Sequence, residues 1–429
     1  MLARGASAAF IIFSFGHLIN LLAQIALARW LGVSEYGEYS YVVSWTVLLT
    51  VLAGLGLNTA TVRFIPSYSA TSSWGLARGF LKNAYLGTIA GSVGIAILAD
   101  LLILLASGGA PSSSAQVMMI GMWLLPAATV IELQTSIARA YQRITVAYLP
   151  GRILRYVIVV SGVAVLLALG VDITSREVVL VTVGGLTVLA VVQFLFLRRN
   201  LKIEDSARYD TGGWWRVAMP LLASNMLQES LRRTDILLIG IVMDSRNVGI
   251  YTVATRIASL VTFILASVNT IAGPMIASTH ARKDKAQLQK LLSLIAHGTF
   301  WPSIVLTLAL AVVANPLLGY FGPEFRDGHV VLLILLCGQL INATAGSVGA
   351  VLNMTGHHRD AVRVLGVSAG VNLVAVFVGI QLGGIVGAAI ATACTNALWN
   401  IWLHKLIVQR LGVYPSLPGL FLAQRSGSR

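Results

Sequence analysis

Long apolar runs, separated by short polar connections, recur along the whole chain. Each run holds about 20 residues, the length that an α-helix needs to cross a bilayer. The runs predict twelve transmembrane helices, at about residues 6–28, 40–61, 83–106, 116–138, 153–171, 177–197, 217–242, 250–275, 291–314, 329–352, 363–382 and 385–408. This pattern indicates an all-α integral membrane fold and leaves no stretch for a folded aqueous domain.

Composition and charge agree with this interpretation. The 429 residues are 57% hydrophobic and 11% charged, and the mean hydropathy is +0.82, whereas soluble domains have about 25% charged residues. A net charge of +14 would suggest nucleic acid in a soluble protein. Here 23 Lys and Arg residues fall in the even-numbered connections and at the termini, and only 4 in the others. Because positive loops stay cytoplasmic, we predict an inner-membrane (cytoplasmic membrane) protein with both termini cytoplasmic and no nucleic-acid partner.

The chain contains a weak internal repeat. A shift of 212 residues places Gly37 and Tyr39 on Gly249 and Tyr251 and aligns the predicted spans of the two halves. Six spans per half give both halves the same orientation, so we predict two six-helix lobes related by a parallel pseudo-twofold axis, as in transporters. The predicted parts are an N-terminal lobe at 1–197, a basic cytoplasmic linker at 198–215, a C-terminal lobe at 216–410 and a cytoplasmic tail at 411–429.

The seventh predicted span has one polar face. At about 100° per residue its polar side chains fall within roughly 160° of the helix circumference. They are Asn225, Gln228, Glu229, Arg232, Arg233 and Asp235. One interpretation is a cavity lining, in which an arginine holds an anion and the carboxylates tune or pair it. The other is an intrahelical ladder of ion pairs, Glu229 with Arg233 and Arg232 with Asp235.

The first span carries a matching polar row. Subtracting 212 from the positions of the seventh span leads to His17 and Asn20, and Gln24 extends the row by one turn. Two such rows related by the repeat suit a central cavity. A row of three polar residues is equally compatible with hydrogen bonding between helices.

Three further charged side chains lie inside predicted spans. Arg256 is about six residues into the eighth span, where it either extends to the outer interface or provides a fixed positive charge in a cleft. Glu132 and Asp100 are lone carboxylates in the fourth and third spans. Each is a candidate site for a coupling proton or cation, or a carboxylate with a backbone or arginine partner.

Two segments carry short recognisable motifs. The first, at residues 27–70, is LARWLGVSEYGEYSYVVSWTVLLTVLAGLGLNTATVRFIPSYSA, with an arginine, an LG pair and a YG-x-Y turn between two spans. The second, at 234–260, is TDILLIGIVMDSRNVGIYTVATRIASL, with an aspartate before an apolar run, then G-x-Y and an arginine. Both resemble the corresponding segments of bacterial and archaeal polysaccharide flippases. Their superfamily also includes multidrug and toxin extruders and the peptidoglycan-precursor (lipid II) flippase.

The resemblance implies alternating access by two six-helix lobes. The implied cargo is a polyprenyl-pyrophosphate-linked oligosaccharide, carried from the inner to the outer leaflet for surface polysaccharide or glycoprotein assembly. A glycan polymerase or ligase is then a candidate partner, besides the lipid bilayer itself. Positions that match the family's arginines are Arg29 and Arg256, and a substrate contact is implied for Arg256 more than for Arg29, which lies at the external mouth.

The residues are compatible with this cargo. Arginine binds phosphate with a planar, permanently charged fork, and Asn and Gln side chains suit sugar hydroxyls. The sequence contains no nucleophile motif, phosphate loop or metal cluster, so we predict a non-enzyme without a cofactor. Three alternatives remain open: a drug or cation extruder of the same superfamily, a membrane-embedded glycan polymerase or ligase, and a passive scramblase or purely structural bundle.

Overall fold

A computed structural model of the chain describes residues 2–200 and 205–416, and these residues form helices and short connections without a β-strand. Residues 201–204 of the predicted linker and 417–429 of the predicted tail lie outside the described residues. The chain divides into two compact units, Met1–Glu229 and Ser230–Arg429. This all-helical architecture confirms the predicted all-α class. The two six-helix lobes and their pseudo-twofold repeat stay predictions.

The first unit begins with a long, broken helix. Gly32 interrupts α1 with φ 74° and ψ 177°, a backbone conformation that glycine adopts without steric cost. The helices of this unit are α1 (Leu2–Ala53), α2 (Leu57–Ala70), α3 (Trp74–Ala106), α4 (Ser113–Met122), α5 (Leu124–Ala140), α6 (Ile144–Leu149), α7 (Arg155–Ala168), α8 (Ser175–Asn200) and the first part of α9 (Thr211–Val242). A π-helical turn, Pro150–Leu154, joins α6 to α7.

The second unit ends with a long, broken helix. Gly383 and Gly384 interrupt α15, and the backbone of Gly379 lies so close to that of Gly387 that a methyl group on either would overlap the other's carbonyl oxygen. The helices of this unit are the rest of α9, α10 (Ser245–Ala281), α11 (Lys285–Val312), α12 (Ala314–Phe321), α13 (His329–Ala345), α14 (Val348–Met354) and α15 (His358–Leu411). A 3₁₀ turn, Pro323–Gly328, precedes α13.

The described helices include many that suit a membrane. Eight are long and apolar enough to cross one, and the bent pair Phe15–Ala53 and Leu57–Ala70, at 45°, raises the number to nine. Helix α9 is not among them, because its polar and charged side chains lower its hydropathy. Helix α15 counts once although it is 54 residues long. The chain is therefore a multi-pass membrane protein, and the number twelve stays a prediction.

The second half of the predicted linker is packed onto α3. The backbone N–H of Arg208 donates to the carbonyl of Gly75 at 2.9 Å, and a methyl group on Gly79 would lie 1.8 Å from the Arg208 carbonyl oxygen. Trp214, at the start of α9, is fully buried and donates to the Tyr68 hydroxyl at 2.9 Å. These contacts explain why the first part of α9 belongs to the first compact unit.

Candidate functional site

The polar row of α1 has divided roles. Gln24 is buried, and its Oε1 accepts a hydrogen bond of 2.9 Å from the Tyr36 hydroxyl, which ties the two parts of α1 across the break at Gly32. Asn20 is half-buried, and its Oδ1 has no hydrogen-bond partner among the described residues. His17 is partly exposed. The structure therefore assigns Gln24 to a structural contact and leaves His17 and Asn20 as candidate site residues.

The π-helical turn brings Arg152 against α1 beside His17. A methyl group on Gly16 would lie 3.0 Å from Cβ of Arg152 and 3.1 Å from its carbonyl oxygen, so the two backbones are in close contact. The Arg152 guanidinium lies over the ring of Phe13, 4.7 Å from the centroid, in a cation–π arrangement. Arg152 also interacts electrostatically with His17. Single π-helical turns of this kind are frequent at functional sites.

Glu132 of α5 lies near several arginines. Its side chain is exposed. Arg152, Arg155 and Arg139 act on this carboxylate electrostatically, and so does the like charge of Glu229. A carboxylate in a membrane span is normally found facing protein or water rather than lipid, and here the nearby positive charges offset its own charge.

The sequence does not indicate this arginine cluster as a site. Arg139, Arg152 and Arg155 flank a predicted turn, so in the sequence they are only positive charges of a predicted cytoplasmic connection. The Pro150–Gly151 pair marks a local break in helical structure. In the sequence, this pair is the feature that indicates an irregular turn, but it does not predict which residues the turn contacts.

The first part of α9 presents its polar residues within the first unit. Nδ2 of Asn225 donates to Oγ1 of Thr59 at 2.9 Å. The amide of Gln228 makes only long contacts of 3.4 Å within its own helix, and its side chain is exposed. Glu229 is half-buried and acts on Glu132. Of these three predicted residues, Asn225 makes a firm tertiary contact and Gln228 remains available to a ligand.

In the second unit, Asp235 is buried and hydrogen-bonded. Its Oδ2 accepts from the Tyr251 hydroxyl at 2.9 Å and its Oδ1 accepts from the backbone N–H of Ile236 at 2.8 Å. Arg233 acts on it electrostatically and is half-buried, whereas Arg232 is exposed. Asp235 therefore fixes the α9–α10 hairpin, and Arg232 is the more accessible of the two arginines.

Arg256 of α10 is half-buried, and its Nε has no hydrogen-bond partner in the described part of the chain.

Two other predicted site residues, Arg29 and Asp100, belong to the first unit. Arg29 is exposed, three residues before the break at Gly32. Asp100 accepts a hydrogen bond of 3.2 Å from the Trp123 indole N–H, and its other oxygen is buried without a partner among the described residues.

The described residues contain no group of three His, Cys, Asp or Glu side chains that could hold a metal ion. The polar groups of the first unit are a partly exposed cluster of arginines and carboxylates. Those of the second unit are the accessible Arg232 and the half-buried Arg256. Such groups can bind an anionic, hydrogen-bonding ligand by charge and by the arginine fork.

Comparison with known proteins places the chain in a family. The family model described as polysaccharide biosynthesis protein matches residues 2–280, and the MatE model matches residues 220–378. A curated relative, the "Probable low-salt glycan biosynthesis flippase Agl15" of Haloferax volcanii, is 27% identical over 175 residues. That alignment covers 40% of this chain and 36% of the relative, so the chain matches little more than a third of the relative's length.

Solved structures show the same fold. The lipid II flippase MurJ in an inward closed conformation has a TM-score of 0.76 at 14% identity, over 93% of this chain and 87% of that one. An inward-facing multidrug resistance MATE family transporter of the MOP superfamily has a TM-score of 0.74 at 14% identity, over 92% and 95%. The family model covers more than half of the chain, and the resemblance seen in the sequence is confirmed. The chain belongs to the polysaccharide biosynthesis protein family and has the fold shared by MurJ and the MATE transporters.

Proposed function

We propose that this protein is a flippase that moves a polyprenyl-pyrophosphate-linked oligosaccharide from the inner to the outer leaflet of the cytoplasmic membrane by alternating access. The family match and the name of the archaeal relative support a role in glycan assembly. No bond of the cargo is broken in this process, so the protein acts as a transporter and not as an enzyme. A glycan polymerase or ligase that uses the exported glycan is the expected partner.

The observation that carries the proposal is the arginine cluster in the first unit. Arg139, Arg152 and Arg155 act on the exposed Glu132, and within residues 2–200 and 205–416 Glu229 is the one other carboxylate that acts on it. The excess of arginine suits a pyrophosphate, since a guanidinium pairs with phosphate oxygens through two parallel hydrogen bonds. In a low-dielectric membrane, such pairing offsets the cost of removing the anion from water.

The substrate contacts that we propose are given for each unit by itself. In the first unit they are His17, Asn20, Gln228, Glu229 and Arg152, and in the second unit Arg232, Arg233 and Arg256. Asn225, Gln24 and Asp235 support the site through their hydrogen bonds to Thr59, Tyr36 and Tyr251. Arg29 and Asp100 remain proposals for the external mouth and for ion coupling.

We propose twelve spans for this transporter. Helices α1 and α15 contain 52 and 54 residues, about 80 Å of helix, more than twice the roughly 30 Å of a hydrocarbon core. Their breaks at Gly32 and at Gly383–Gly384 let each cross twice, and α9 adds the twelfth crossing. The proposed arrangement keeps two pseudo-symmetric six-helix lobes, at 1–197 and 216–410, with both termini cytoplasmic.

A deletion strain of the native host tests this proposal. Polyprenyl-linked oligosaccharides are extracted, and a membrane-impermeant sugar-modifying reagent applied to spheroplasts reports the leaflet that holds them. We expect accumulation on the inner leaflet that the intact gene reverses, and the mass of the accumulated lipid then identifies the glycan. Unchanged lipid-linked oligosaccharide in the deletion strain would contradict a flippase, and accumulation on the outer leaflet would indicate a polymerase or ligase.

One observation favours a second function, export of a cationic compound. Glu132 is an exposed carboxylate in a predicted span, and the MatE model matches part of the chain. This alternative predicts that the deletion strain becomes sensitive to cationic drugs and that Glu132→Gln alone abolishes resistance. The flippase proposal predicts unchanged drug sensitivity.

A further inference from the structure

Helix α10 carries a stripe of small and polar side chains along the middle of its length. At about 100° per residue, these positions fall within roughly 140° of the helix circumference. The stripe consists of Thr255, Arg256, Ser259, Thr262, Ala266 and Asn269. Of these residues, only Arg256 is a predicted site residue in the sequence. Hydroxyl side chains are common in membrane helices and do not by themselves indicate a site.

The stripe does not face the core of the second unit. The core-facing positions of the same stretch are fully buried and apolar, and they are Val253, Ala254, Ile257, Ala258 and Val261. On the stripe, Ser259 and Ala266 are exposed and the other members are half-buried. The stripe therefore has accessible surface on the side of α10 opposite these buried positions.

The exposed surface of this stretch also differs from a lipid-facing surface. Between Ser245 and Asn269 no large hydrophobic side chain is exposed, whereas Ile271 and Met275, further along α10, are. Surfaces in contact with lipid tails are apolar, and a charged side chain within a span normally faces protein or a water-filled cavity. The stripe, which includes Arg256, therefore faces protein or water and not lipid tails.

Hydrogen bonding within α10 leaves two hydroxyls of the stripe as acceptors. The Ser259 hydroxyl donates to the carbonyl of Arg256 at 2.7 Å, and the Thr262 hydroxyl donates to the carbonyl of Ser259. A hydroxyl whose hydrogen is already used offers only its lone pairs to a ligand. Oδ1 of Asn269 is a buried acceptor without a partner among the described residues, and the amide nitrogen of Asn269 is a donor. A ligand at Ser259, Thr262 and Oδ1 of Asn269 must therefore supply hydrogen-bond donors, and it can also accept a hydrogen bond from the Asn269 amide.

This requirement distinguishes between chemical classes of ligand. A phosphate group offers mainly acceptors and would be repelled by lone pairs, whereas each sugar ring offers several hydroxyl donors. Arg256 has the opposite preference, because a guanidinium has five N–H donors and no acceptor. At 1.5 Å per residue, Arg256 and Asn269 are about 20 Å apart along the axis, so the stripe is long enough to accompany more than one ring.

We propose that Ser259, Thr262 and Asn269 form a track for the sugar rings of the cargo, with Arg256 at the phosphate end. This inference rests on the proposed function, since it assigns a part of the same cargo to α10. In this proposal the track binds the sugar rings of the glycan, whereas the arginines bind the pyrophosphate that every such lipid carries. Loss of the track therefore affects long glycans and spares short ones.

The test compares two substrates in proteoliposomes containing the full-length protein. The first is lipid-linked oligosaccharide extracted from membranes of the native host, and the second is the same lipid trimmed by exoglycosidases to its first sugar. The variant combines Ser259→Ala, Thr262→Val and Asn269→Ala. We expect transport of the full-length lipid to fall about tenfold or more, because several sugar donors lose their acceptors, and transport of the trimmed lipid to change less than about twofold.

Two controls separate the possible outcomes. Thr299→Val in α11 removes a buried hydroxyl that donates to the Ile295 carbonyl, away from the stripe, and should leave both substrates unaffected. Ser259→Ala alone changes an exposed residue, and it should give part of the same selective loss even if the triple variant is poorly folded. Equal loss for both lipids, or no loss for either, would overturn the track. Failure of the unmodified protein to transport either lipid would instead contradict the flippase itself.

Discussion

The hydroxyl of Tyr251 donates a hydrogen bond of 2.9 Å to Oδ2 of Asp235, and both side chains are buried inside the second unit. The pair joins α9 to α10, with one residue on each side of the connection between the two helices. Asp235 therefore has a donor on each carboxylate oxygen, since the Ile236 N–H serves Oδ1. In the first unit, the Tyr36 hydroxyl donates to Gln24 across the break of α1 at Gly32, so a tyrosine hydroxyl joins two helical segments in each unit.

Tyr251→Phe should destabilise the protein. The substitution keeps the ring but leaves one oxygen of a buried carboxylate without its donor, and the expected loss is about 1–3 kcal/mol. Denaturation in detergent micelles, followed by fluorescence, measures it. Adding Asp235→Asn should cost less than the sum of the two single changes, because the pair is already broken. Tyr209→Phe, at an exposed tyrosine, is the matched control, and an equal loss there would refute the argument.

Arg152→Lys should impair transport more than stability. Lysine keeps the positive charge but loses the planar fork and the stacking over Phe13. We expect the translocation rate of lipid-linked oligosaccharide in proteoliposomes to fall about tenfold, an effect of about 1.4 kcal/mol, with an unchanged denaturation midpoint. Arg359→Lys, at an exposed arginine of α15, should have no effect. Full activity of the Arg152 variant would remove this residue from the proposed site.

Gly79→Ala and Gly94→Ala should have effects of opposite sign, although both lie on α3. At Gly79 the added methyl group would lie 1.8 Å from the carbonyl oxygen of Arg208. The segment before α9 would have to move, and we expect a loss of about 1–3 kcal/mol. At Gly94 nothing lies within 4 Å, so alanine should add about 0.5–1 kcal/mol through helix propensity. Denaturation of the two purified variants measures the change in the free energy of unfolding. A gain in stability for Gly79→Ala would show that the segment before α9 is not held against α3.

Arg246→Ala should be nearly neutral. Arg246 forms an ion pair of 2.7 Å with Asp327, but the two side chains are 47% and 59% exposed. Water and salt screen such a pair, and its expected contribution is about 0–1 kcal/mol. The denaturation midpoint of the variant should remain close to that of the unmodified protein, also at low ionic strength. A loss as large as that of Tyr251→Phe would mean that this external pair is shielded from solvent in the membrane.

Sequence patterns located the helices better than they assigned the side chains. The apolar runs identified the helical segments because a chain in lipid must satisfy its backbone hydrogen bonds within each helix. The sequence predicts a polar row on α1, but it does not predict that Gln24 contacts Tyr36 or that Oδ1 of Asn20 has no partner among the described residues. Periodicity states which residues share a face, and the partner of that face depends on residues far away in the sequence.

The amino-acid sequence by itself determined that this protein is helical, lies in the membrane and belongs to a polysaccharide-related family. These properties follow from composition, from the length of apolar runs and from local motifs, all of which are one-dimensional. Only the tertiary structure decided that Arg152 lies against α1 beside His17, and that Asp235 is a buried contact between α9 and α10. Those outcomes depend on a π-helical turn packed at Gly16 and on the position of Tyr251, and close packing between distant segments is not encoded in any local pattern.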